Sequence, residues 1–197
     1  MIGPAAAVRA VVALGAARAD WTVLVDGRSG AGKSTLAHAL VDRTGAALVR
    51  LDDCYPGWDG LLAGAEAVTS DLLVPRRTGR PGGWRRWDWA AGEPAERHVV
   101  PPSGGLVVEG SGLLSRRSAP LADLALWLEL DAGERRRRAL ARDGAAYEPH
   151  WDRWAAQEAE RIAAERPRRL ADLVVDGEHV QALPSGRTAR IAYRGRP

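Results

Sequence analysis

The sequence predicts an α/β fold in which a five-stranded parallel sheet is flanked by helices on both faces. Three observations carry this. Five runs of strand length are apolar throughout, the pattern of strands buried on both faces rather than of a sheet with one wet side. Stretches with helical patterning alternate with these runs. Carboxylates close the second and third runs, at the strand ends where such sheets place their ligands.

The elements follow in chain order. Residues 1–20, MIGPAAAVRAVVALGAARAD, are alanine-rich and superficially like a secretory leader. Arg9 and Arg18 interrupt the run, however, and a strand follows directly, so the segment reads as an amphipathic first helix. WTVLVD at 21–26 is the first strand, followed by a glycine-rich turn and a helix over 33–43. AALVRL at 46–51 is the second strand, running into RLDDCYPGWDG with its paired acids Asp52 and Asp53. DGLLAGAEAVTSDLLV at 59–74 predicts a helix stopped by Pro75, because proline lacks the N–H and crowds the preceding turn. Residues 76–96 are turn-rich and aromatic and read as a loop over a site. GLVVEG (105–110), LALWLEL (124–130) and DLVVDG (172–177) are three more buried strands, with a long charged helical segment, a candidate lid, over 133–166. HVQAL and TARIAY, around Pro184, Ser185 and Gly186, predict a small closing β hairpin. With no internal repeat and no disordered linker, 1–197 reads as one domain.

Composition narrows the function. Apolar residues make up 46% and charged residues 27%, as in a water-soluble globular protein, and no apolar run approaches the ~20 residues a membrane helix needs. The single cysteine, Cys54, excludes an internal disulfide and fits the reducing cytoplasm. A pI near 9.6 hints at an anionic partner, yet the net charge is only +3. Arginine so dominates the basic residues, with no Asn and no Phe in the chain, that the bias points to a GC-rich genome more than to nucleic-acid binding. Lys33 is the only lysine.

That lysine lies in GRSGAGKS, residues 27–34, which fits G-x-x-x-x-G-K-[ST] without a mismatch. Gly27, Gly30 and Gly32 allow backbone angles and close approach that side chains would forbid. Loop N–H groups and the following helix N-terminus are then free to cradle phosphate oxygens. Lys33 would bridge the terminal phosphates and the Ser34 hydroxyl would ligate Mg²⁺, with Arg28, Ser29, Ala31 and Thr35 completing the nucleotide-binding segment. The strand before and helix after are the context that the motif requires. A GTPase would need an Asn-Lys-x-Asp base reader, which a chain without Asn cannot have. A small chain with this loop, an acid after the second strand and an arginine-rich segment before the last strand points to a kinase of small molecules.

An ordered set of landmarks resembles the uridine kinase-like family, which includes phosphoribulokinase and bacterial pantothenate kinase. The set is VDGRSGAGKSTLA (25–37), LDDCY (51–55), LVVEG (106–110), ERRRRALARDG (134–144) and ADLVVDG (171–177). The resemblance implies a P-loop NTPase fold and transfer of the γ-phosphate of ATP to a hydroxyl, with a nucleoside such as uridine or a related metabolite as acceptor. It places Asp52 as the general base and Glu109 as the acid holding Mg²⁺. It also makes Arg135, Arg138 and Arg142 lid arginines on the nucleotide, with Lys33 and Arg138 at the transferred phosphate. The residues support these roles separately. Asp52 and Glu109 end strands facing one crevice, and the three arginines are spaced to share a helix face. Asp53 ranks second in its pair, as a support to the metal or a contact to the acceptor.

The acceptor is less legible. Cys54 stands where the family has Phe, and no His-Tyr pair matches a pyrimidine reader. Tyr55 with Arg85, Arg86 and Trp87 of GGWRRWDW are the candidate acceptor contacts, since Arg and aromatics suit a flat or anionic molecule; they equally suit packing of a loop on the core. The four histidines show no metal-ligand spacing. Two other readings stay open: a nucleic-acid-associated P-loop ATPase using arginine and tryptophan as a stacking groove, and a nucleotide-binding regulator without catalysis.

Overall fold

The computed structural model of the chain describes residues 1–183. Five strands, β1 (Trp21–Gly27), β2 (Ala47–Arg50), β5 (Gly105–Glu109), β6 (Leu124–Glu129) and β7 (Leu173–Asp176), form one sheet in the order β2-β5-β1-β6-β7, parallel throughout. Alternation along each strand explains why both of its faces are apolar. Leu24, Leu106 and Val108 join one buried cluster, while Val23, Val25 and Val107 join another on the opposite face.

Helix α1 (Pro4–Ala17) buries Ala7, Val8 and Val11, and Ile2, two residues before it, is tied to the sheet edge by Ile2 N to Val174 O (2.8 Å) and Asp176 N to Ile2 O (2.9 Å). Helix α2 (Lys33–Thr44) follows β1 through the glycine-rich turn, and ends at Gly45 in the left-handed region. The predicted helix over 59–74 begins as α3 (Leu61–Val68) but does not stop at Pro75. It widens into a π turn over Thr69–Leu73 and continues as α4 (Val74–Arg77). A wider turn just before a proline eases the clash of its ring with the carbonyl behind it.

The predicted loop over 76–96 is a second correction. It contains most of an antiparallel hairpin, β3 (Gly82–Asp88) and β4 (Glu93–Val100), with a bulge between Arg85 and Trp87. The bulge interrupts the alternation by which a strand is recognised. Nor are Gly82 and Gly83 turn residues: a Cβ on Gly82 would lie 2.5 Å from the Leu72 carbonyl, so glycine there permits close packing on the helix. The turn itself is built by Asp88, whose Oδ1 accepts from Ala90 N and Ala91 N (both 3.0 Å), and by Gly92 at φ +69°.

The charged segment over 133–166 is two helices rather than one, α5 (Ala132–Asp143) and α6 (Trp151–Glu165), linked by 3₁₀ turns across Gly144 and Pro149. Asp131 caps α5, accepting from Gly133 N (2.8 Å) and Glu134 N (3.1 Å). A short helix α7 (Pro167–Leu170) leads into β7. The first arm of the predicted closing hairpin is a 3₁₀ turn, Val180–Ala182, not a strand; its second arm lies outside the described residues.

Candidate active site

The parallel sheet delivers the carboxyl ends of β1, β2 and β5 to one place. Arg50 ends β2 in register with Glu109 at the end of β5, and Val25 pairs with Glu109 on the other side. A cavity of about 720 Å³ opens above these ends. Its wall includes Gly30, Gly32, Lys33, Ser34 and Thr35 of the loop and helix start, Arg50, Asp52 and Tyr55 from the second crossover, and Arg138 and Arg142 from α5.

The glycine-rich loop has the geometry its composition predicts. Gly27, Gly30 and Gly32 have φ of +153°, +81° and +99°, and a Cβ at Gly30 would collide with the Arg135 carbonyl. Lys33 is buried and folded over the loop, its Nζ donating to Arg28 O (3.2 Å) and Ser111 Oγ (3.1 Å). Ser34 Oγ donates to Glu109 Oε1 at 2.9 Å. The Ser34 hydroxyl and the Glu109 carboxylate are hard oxygen donors, a set suited to Mg²⁺, with Ser34 on the cavity wall and Glu109 buried behind it. Burial, reinforced by Asp52, pushes the Glu109 carboxyl up to about 7. Asp26 is equally buried and also raised to about 7 by burial, although its oxygens accept from Gly27 N (2.6 Å), Gly112 N (3.1 Å) and Leu114 N (2.7 Å). It ties the start of the loop to the segment following β5.

Ser29 also lines the cavity, whereas Arg28 and Ala31 do not. Arg28 turns to α6, donating to Glu158 Oε2 (3.0 Å) and Ala155 O (3.0 Å), and Ser29 N donates to Glu158 Oε1 at 2.6 Å. Ala31 is fully buried in the core. Glu158, itself buried, is a loop-holding residue that reading the sequence missed, since nothing local marks a residue 129 positions away as a partner of Ser29.

The lid arginines divide. Arg135 is buried beneath the loop, donating to Ser29 O (3.3 Å) and Leu130 O (3.2 Å), and does not line the cavity. Arg138 lines it while donating to Glu134 Oε1 (2.6 Å), Gly177 O (2.9 Å) and Glu178 O (3.1 Å). Arg142 lines it paired with Asp143 (2.6 Å).

The two acids of the opening turn divide as well. Leu51–Asp53 form a 3₁₀ turn in which Asp52 lines the cavity, whereas Asp53 faces Arg50 at 3.7 Å and does not line it. Burial raises the Asp53 carboxyl, opposed by Arg50. Tyr55 is buried, donating from its hydroxyl to Ser111 O at 2.8 Å. Cys54 is a partly buried free thiol whose pKa is raised by burial first and then by Asp53 and Asp52, which leaves it unreactive. Arg85, Arg86 and Trp87, predicted as acceptor contacts, do not line the cavity. Arg85 donates to Ala95 O (2.9 Å), and Arg86 pairs with Glu96 (2.8 Å) and Asp88 (3.3 Å), so both guanidiniums serve the hairpin. The aromatic wall is made instead by Trp58, Trp89, Tyr147 and Trp154. Trp58 stacks on His150 (4.2 Å, 14°) and Tyr147 (5.5 Å, 15°), and Trp154 meets Tyr55 edge-on at 4.8 Å.

No family model and no curated protein matches the chain. Among the solved structures that share its fold are the following two. A possible uridine kinase from Bacillus stearothermophilus aligns with TM-score 0.61 and 18% identity over 86% of this chain and 97% of that one. A protein described as a fructose transport system kinase from a Silicibacter species aligns with TM-score 0.57 and 17% identity over 89% of this chain and 99% of that one. The likeness covers the five-stranded parallel sheet and its flanking helices, the fold class that the sequence predicts.

Proposed function

We propose that this chain is an ATP-dependent phosphotransferase that moves the γ-phosphate of ATP to a hydroxyl of a small molecule, with a nucleoside such as uridine or a related metabolite as the first acceptor to test. One observation carries the reading: Lys33, Ser34 and Asp52 line a single cavity at the carboxyl ends of neighbouring parallel strands, with Glu109 buried directly behind Ser34. Phosphoryl transfer asks for positioning and charge neutralisation more than for covalent help, and these groups supply both.

In this reading the loop N–H groups and Lys33 bind the phosphates, and Arg138 and Arg142 offset charge from the lid side. Ser34 and Glu109 would hold Mg²⁺, which when bound neutralises phosphate charge. Asp52 accepts the proton of the acceptor hydroxyl as its oxygen bonds to the γ-phosphorus and the bond to the bridging oxygen of ADP breaks. ADP formation measured across nucleosides, vitamins, sugars and amino alcohols tests this, with Lys33→Ala as control. Turnover by some acceptor that Lys33→Ala abolishes is expected. Near-normal turnover in Lys33→Ala, or no ADP formed with any acceptor, overturns it. The arginines of α5 bear on the nucleic-acid reading: Arg137 and Arg138 pair with Glu134 and Arg142 with Asp143, a paired rather than a free basic face.

A further inference from the structure

The hairpin β3–β4 is a separate two-stranded sheet, yet its tip reaches the candidate base. Trp89, the first residue after β3, donates from its indole Nε1 to the backbone carbonyl of Asp52 at 2.9 Å. Its ring also lines the cavity and lies 5.0 Å from Trp58 at an interplanar angle of 55°.

The indole is 41% exposed. A lone exposed hydrogen bond would hold it weakly. Here the hydrogen bond and the ring contact act together: aromatic pairing adds to burial, and Trp58 is itself stacked on Tyr147 and His150. The turn that Trp89 grips is short, closed by Cys54 N to Leu51 O (2.7 Å) and Tyr55 N to Leu51 O (3.0 Å). Those bonds fix the backbone on the far side of Asp52, and the carbonyl of Asp52 itself is taken by Trp89. Loss of that grip would free the backbone at Asp52 to shift and carry its side chain with it, and a displacement of about 1 Å can cost 10²-fold in rate.

We infer that Trp89 is a positioning residue: from the tip of the hairpin it fixes the peptide plane of Asp52, and so the direction of the Asp52 carboxylate, while its ring forms part of the acceptor wall. The inference rests on the reading of Asp52 as general base. It explains why the hairpin is tied to the second crossover rather than left as a free arm, and it separates two roles within one side chain. The N–H orients the base, and the ring borders the acceptor.

The two roles are separable by substitution. Trp89→Phe keeps a ring against Trp58 and removes the N–H; Trp89→Ala removes both. With an acceptor identified from the panel above, Trp89→Phe should lower kcat by about 3–10-fold, the range of a net hydrogen bond, with the KM values for ATP and acceptor little changed. Trp89→Ala should add a rise in acceptor KM. In hydrogen exchange, Trp89→Phe should also speed exchange at the amides of Cys54 and Tyr55, a readout that needs no acceptor. If Trp89→Phe leaves both kcat and those amides unchanged, or raises only KM, Trp89 is wall and not positioner, and the inference falls. If the amides loosen but kcat holds, the grip is structural and the inference falls as well. If no acceptor is turned over by the parent protein, the base reading itself has failed and the inference goes with it.

Discussion

Glu158 offers the sharpest test of how the phosphate loop is held. Its carboxylate is buried, accepts from Ser29 N at 2.6 Å and pairs with Arg28 at 3.0 Å. Each hydrogen bond to a charged group is worth about 1.5–3 kcal/mol. Arg28 is 29% exposed and keeps its bond to Ala155 O, so it stays partly satisfied when the carboxylate is lost, which favours the low end of the sum. Glu158→Ala should therefore cost about 3 kcal/mol. For a chain of this size each kcal/mol moves Tm by roughly 2–4 °C, so the melting point should fall on the order of 10 °C. Glu158→Gln keeps an acceptor for Ser29 but loses the charge, and should fall about half as far or less. Thermal unfolding monitored by circular dichroism reads this directly, and the KM for ATP should rise more in Glu158→Ala, which loses the tie of Ser29 to α6, than in Glu158→Gln, which only weakens it. A Glu158→Ala protein melting within about 2 °C of the parent, with unchanged KM for ATP, would refute the assignment of Glu158 as the loop's anchor.

Three further outcomes are expected. Asp52→Asn should lower kcat by on the order of 10²–10⁴-fold with ATP affinity nearly intact, while Asp53→Asn, turned towards Arg50, should cost far less; the reverse order would exchange their roles. Asp26 and Glu109 ionise near 7 in the folded chain, against ordinary values of 3.8 and 4.5. Because folding raises both, stability without nucleotide is full below the ordinary values and declines as pH rises towards 7, while affinity for Mg²⁺ rises as Glu109 deprotonates. Melting curves and Mg²⁺ titrations from pH 5 to pH 8 check both signs, and a Tm that climbs through that window contradicts them. Finally, an ATP analogue should slow hydrogen exchange in α5 and across Gly144, as lid closure requires; equal exchange with and without it would reduce Arg138 and Arg142 to a solvated face.

What the sequence alone determined is what local chemistry dictates. Continuous apolar runs can only be strands covered on both faces, so the five-stranded parallel sheet was legible. The loop 27–34 was legible because left-handed glycines and a single lysine in fixed spacing admit few other backbone paths. Acids at strand ends marked the crevice for the same reason. Only the tertiary structure decided the rest. It turned Asp52 into the cavity and Asp53 out of it, a choice made by the hand of one 3₁₀ turn and the position of Arg50. It split three arginines of one helix face, three and four residues apart, into one buried under the loop and two on the cavity, because that face straddles the edge of the site. It kept Arg85, Arg86 and Trp87 off the cavity and set Trp89 on its wall, since a bulge and a tight turn set which hairpin side chains face inward. Partners such as Glu158 and Ser29, or Trp89 and Asp52, lie 129 and 37 positions apart. Periodicity and spacing report only on neighbours within a few turns of chain, so pairings at that range exist only once the core has folded and brought the two surfaces together.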